Sequence, residues 1–130
     1  MTAEEFNKEL TNRMLVVDKE LRDLNKKIRE IKQEKINLQP SIENVYDKER
    51  GMKIHRLIQK DEELNNEGEE LNNKKNALDI EILKFQSSSN PDYATLELLV
   101  SKAEDILKKQ KQVITEIEKG ISEVREIIKK

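Results

Sequence analysis

The chain has one histidine, His55, and no cysteine, so the side chains that most often carry metal and nucleophilic chemistry are almost absent. A metal centre needs several His, Cys or carboxylate ligands converging, and a nucleophile needs a base within hydrogen-bond reach. His55, with Lys53 and Arg56 beside it, reads as a surface residue. Carboxylates are plentiful, but on helix surfaces they serve solvation and pairing before general acid–base work. There is no glycine-rich phosphate loop and no histidine pair at metal-binding spacing. These residues predict no enzyme, no cofactor and no catalytic or metal-binding site.

Nucleic-acid chemistry is better represented, though thinly. Leu57, Leu64, Leu71 and Leu78 recur every seven residues, and Lys48, Arg50, Lys53, Arg56 and Lys60 precede or overlap them. A DNA-reading basic helix is denser and carries base-edge donors such as Asn, whereas Gly51 interrupts this one and Asp47 and Glu49 intrude. Lys108, Lys109 and Lys111 form a smaller basic cluster behind Glu104 and Asp105. With 25 Lys+Arg against 27 Asp+Glu and a net charge of −2, no basic excess drives phosphate binding. A nucleic-acid-associated accessory role ranks last among the readings. No apolar run approaches the roughly 18 residues of a membrane span. Met1-Thr2-Ala3-Glu4-Glu5-Phe6 lacks a basic start and apolar stretch of the secretory kind, so an intracellular, cytoplasmic protein without membrane contact is expected.

The elements that would position any site are helices. Charged residues make up 40% of the chain and apolar ones 35%, and the apolar ones are regularly spaced, which favours ordered helix over disorder. The first segment alternates Leu10, Val17, Leu24 and Ile31 with Met14, Leu21 and Ile28 in one heptad register. Thr2 and Glu5 have capping-box spacing at its start. Glu9–Arg13, Asp18–Arg22 and Asp23–Lys27 are acid-before-base pairs four residues apart, suited to a solvated face. Pro40 predicts the first reversal, with Gly51 and the Asn65-Asn66-Glu67-Gly68 stretch as alternative breaks. Gln86 to Asp92 reads as the second turn, with Asn90 as N-cap and Pro91 in the first helical position. The third segment carries Leu96, Val100, Ala103, Leu107, Gln110, Ile114, Ile117, Ile121, Val124 and Ile128, apolar except at Gln110. Leu99, Ile106, Val113 and Ile127 widen that stripe, as a helix packing on two neighbours requires.

The expectation is a single all-α domain over 1–130, with helical segments at about 3–39, 41–85 and 91–129. It takes the form of an elongated antiparallel three-helix coiled-coil bundle or hairpin, assembling as an oligomer in which segments one and three supply most of the core. Three segments of this size resemble a spectrin-type repeat in outline, but the chain has no tryptophan and its middle seam is polar. No family is assigned. That middle seam is the one place where sequence and architecture conflict. Asp61, Gly68 and Lys75 occupy core positions between Leu64, Leu71 and Leu78, which reads first as a loosely packed, partly exposed middle helix and second as a seam kept polar for a partner or for register specificity. The function expected is a structural or adaptor protein acting by coiled-coil self-association and helix-mediated binding to another helical protein. The alternative is a small helical regulator or chaperone that sequesters a partner.

Overall fold

A computed structural model describes residues 2–89 and 92–130, and three helices account for nearly all of them. They are α1 (Ala3–Glu43), α2 (Lys48–Gln86) and α3 (Tyr93–Lys129). At 1.5 Å per residue each is about 55–60 Å long. The Thr2 hydroxyl accepts from the Glu5 amide at 3.1 Å, the N-cap half of the expected box.

The first reversal is not at Pro40. That proline lies inside α1, and the chain turns at Asn44–Asp47, with Asp47 accepting from the Glu49 and Arg50 amides to start α2. Pro40 is tolerated because it is exposed, and Ile36, whose carbonyl it deprives of a donor, is 66% exposed and open to water. Gly51 and Gly68 are likewise helical. The change of heptad phase near Gly51 therefore marks a new helix that begins three residues upstream of it, at Lys48. The expected cap at Asn90 and first position at Pro91 lie outside the described residues; Asp92 caps α3, accepting from the Ala94 and Thr95 amides. The Thr95 hydroxyl and amide hold the Asp92 carboxyl below its ordinary value.

α3 is the shared partner. It packs against both α1 and α2, which scarcely approach one another at the backbone. It contributes twelve buried residues, α2 seven and α1 only four, so segment one supplies less of the core than its clean seam implies. Ala103, fully buried beside Val17, Leu21 and Leu107, lets α1 and α3 come close. At one end Phe6 meets Tyr93 edge-on at 5.5 Å over a cluster of Leu10, Ile82, Leu96, Leu99 and Val100. At the other, Arg50 donates to the Ile127 carbonyl at 2.8 Å, closing the last turn of α3.

α1 and α3 run parallel, and a charge ladder fixes their register. Arg13–Glu104, Glu20–Lys111, Lys27–Glu118 and Glu34–Arg125 pair at 2.5, 3.3, 2.9 and 3.1 Å, every pair 91 residues apart in sequence. That separation is a whole number of heptads, so the rungs repeat along one edge of the interface. Their sign alternates from rung to rung, so a slip of one heptad either way sets like charges opposite one another. The i,i+4 pairs expected on α1 give way to these partners: Arg13 turns to Glu104 and Glu97, and Lys27 to Glu118. The Glu104 carboxylate, ahead of Glu97, raises the Arg13 pKa, and Glu118 raises that of Lys27.

Half-exposed pairs of this kind are worth about 0.2–1 kcal/mol each, so the ladder selects register more than it adds stability. Glu20→Lys should lose up to about 1 kcal/mol in denaturant melts at low salt, and the added Lys111→Glu change should restore most of it. Both effects should fade in 1 M salt.

Candidate functional site

The residues singled out on α2 all face inward, so the expected loosely packed, partly exposed middle helix is not found at these positions: other helices supply partners for the polar side chains. Asp61, Leu64, Gly68, Leu71 and Lys75 are buried and Leu78 is half-buried. The three polar positions lie one heptad apart and build three polar layers through the bundle, each with partners from other helices or from its own next turn.

In the first layer Lys35 of α1 donates to the Asp61 carboxylate, which also accepts from the Asn65 side chain at 3.1 Å. The other Asp61 oxygen, Oδ1, has no partner. Asp61 lies on the wall of a recess of about 110 Å³ between α2 and α3, opposite Gly120. Gly120 continues the Leu99, Ile106 and Val113 column of α3, and the missing side chain there leaves the space open.

The second layer crosses all three helices. Gln110 Nε2 donates to the Gly68 carbonyl at 2.8 Å and to Asn72 Oδ1 at 3.2 Å, and Asn72 in turn donates to Asn25 at 3.4 Å. Gly68 suits this packing: a Cβ there would stand 3.3 Å from Gln110 Oε1, close enough that Gln110 would have to shift. The polar exception on α2 and the polar exception on α3 thus meet. In the third layer Lys75, only 4% exposed, donates to Asp18 at 2.7 Å and to Asp79 at 2.5 Å. Burial lowers the Lys75 pKa, but the Asp18 and Asp79 carboxylates outweigh it and the net shift is upward.

Sequence reasoning found Asp61, Gly68 and Lys75 and noted Gln110, but missed Lys35, Asp18, Asn25 and Asn72 as their partners. Lys35 carried a signal, as a charged residue at a core position of α1. Asp18 carried a misleading one, its spacing to Arg22. His55 is exposed on α2. Among the described residues no group of three or more His, Cys, Asp or Glu side chains is arranged to hold a metal ion, and no helix is long and apolar enough to cross a membrane. Comparison with protein-family models, with curated proteins and with solved structures gives no match.

Two outcomes test the layers. Gly120→Ala meets nothing within 4 Å and should gain about 1 kcal/mol of helix propensity. Gly68→Ala should gain less or lose, because Gln110 must yield; equal gains in denaturant melts would show that Gln110 is not held. Lys75→Met should cost about 1–2 kcal/mol at neutral pH, a buried-pair loss discounted for half-exposed partners. Because the folded Lys75 pKa is raised, its contribution is complete below the ordinary value of 10.5 and disappears as pH rises through the folded value. The stability gap between wild type and variant should therefore shrink in strongly alkaline solution.

Proposed function

We propose that this chain is a non-enzymatic structural or adaptor protein, its heptad seams packed as an antiparallel coiled coil, acting by helix-mediated association and first of all with itself. The observation that carries this reading is the division of labour among its polar groups. The buried polar groups on α2 and α3 serve to join the helices, in layers that specify which residues lie level. Polar core positions trade stability for such specificity. Asp61, Gly68 and Lys75 accordingly act as register determinants, with Leu64, Leu71 and Leu78 as the apolar seam between them.

What is left for a partner is the outside. Leu15, Ile36, Ile80, Leu83 and Leu98 are each more than half exposed, and Leu15, Ile80, Leu83 and Leu98 belong to the same half of the bundle. Exposed apolar residues on a charged surface are suited to protein contact where they adjoin.

Sedimentation equilibrium of the full chain over a wide concentration range tests the reading. A mass rising above the 15.3 kDa of one chain is expected. A monomer at every concentration would overturn self-association and leave the sequestering alternative as the better account.

A further inference from the structure

Because α1 and α2 scarcely approach one another at the backbone and are bridged there by long polar side chains, the side of the bundle they share is an open cleft. Recesses of about 230 and 280 Å³ lie along it, and in the first the floor is Val113 and Ile117 of α3. Its walls are charge-sorted. Leu15, Arg22, Arg29 and Ile36 stand seven residues apart and form one column on α1, beside the α2-facing residues Asp18 and Asn25. Glu62, Glu69, Asn76 and Leu83 form the matching column on α2, beside the α1-facing Asn72. Arg22, Arg29, Glu62 and Glu69 are all exposed. Among the ion pairs of the described residues none involves any of the four. The cross-links Asp18–Lys75 and Asn25–Asn72 set the levels, placing Leu15 beside Leu83 and Arg29 beside Glu69 across the cleft.

We propose that this cleft is the surface through which two copies of the chain associate, around a two-fold axis parallel to the bundle. Such an axis sets α1 of each copy against α2 of the other with the levels preserved. Arg29 then faces the second copy's Glu69, with Arg22 and Glu62 one heptad to either side of that pair, and Leu15 faces the second copy's Leu83. A two-fold across the bundle would instead set α1 against α1, arginine against arginine. An isologous contact requires a self-complementary surface, and opposite charges on two walls at one level provide it. The proposal rests on the self-association reading and adds the face, the axis and the residues.

Two double variants test it by sedimentation equilibrium. Arg22→Glu with Arg29→Glu makes both walls acidic, and Glu62→Lys with Glu69→Lys makes both basic. Each should keep its helical melt, since these four have no ion-pair partner among the described residues, and each should lose about tenfold or more in self-association. An equimolar mixture of the two should recover a complex of twice the chain mass, because every wall then meets its opposite. With no native cysteine, Leu15→Cys chains mixed with Leu83→Cys chains should crosslink to each other. Leu15→Cys chains crosslinking among themselves as readily would overturn the axis. A wild-type dimer indifferent to both double variants would overturn the surface while leaving self-association standing. A wild-type monomer at every concentration would overturn both.

Discussion

A helix with three adjacent apolar columns cannot be covered by a single neighbour. α3 has such a face: the two seam columns running from Leu96 to Val124 and from Val100 to Ile121, and the flanking column of Leu99, Ile106 and Val113. Burial of a face this wide needs a helix on each flank. α1 and α2 take those flanks, and the consequence is geometric. With α3 holding both, their backbones stand apart, and the polar groups that link them do so by reach: Lys35 to Asp61, Asp18 to Lys75, Asn25 to Asn72. The polar middle seam follows from the position of α2 in this arrangement.

Stability and specificity are consequently supplied by different residues. Apolar contact with α3 provides most of the free energy, since each fully buried aliphatic side chain is worth about 1.5–3 kcal/mol. Apolar contact is tolerant of sliding, however, and long helices with repeating heptads have alternative registers one heptad away. The α1–α3 ladder excludes those slips on one edge by alternating its charges, and the three layers exclude them on the other by matching Asp61 with Lys35, Gly68 with Gln110 and Lys75 with Asp18. A slipped chain would bury Gln110 against a side chain rather than against Gly68. The penalty for an unpaired buried group exceeds the gain from making the pair, which is why such layers discriminate well while adding little net stability.

The same geometry shapes the outer surface. Had α1 and α2 packed closely, Arg22, Arg29, Glu62 and Glu69 would flank a filled seam and could pair across it. Held apart, they stand on opposite walls of a cleft with no ion pair among the described residues, and the molecule presents a charge-sorted face that its own fold leaves uncovered.

The sequence by itself determined that the chain is helical, where α1 begins, which residues of each segment turn inward, and that α3 needs two partners. It did so because a heptad pattern records the face of a helix directly. It also identified Asp61, Gly68, Lys75 and Gln110 as exceptions within their seams. Only the tertiary structure decided which exceptions meet. Axial level depends on where the chain reverses, and a single residue added to or removed from a helix moves its neighbour by 1.5 Å and turns it by about 100°. Pro40 carried the stronger local signal, yet the turn falls at Asn44–Asp47, because an exposed proline is tolerable in a helix whose apolar face continues past it to Ile42, and Asp47 offers the next helix a cap. Once that turn is placed, Asp18 leaves Arg22 for Lys75 and Arg13 leaves Glu9 for Glu104. A carboxylate half-shielded between helices holds a cation more firmly than one on an open helix face, and that difference exists only once the helices are side by side.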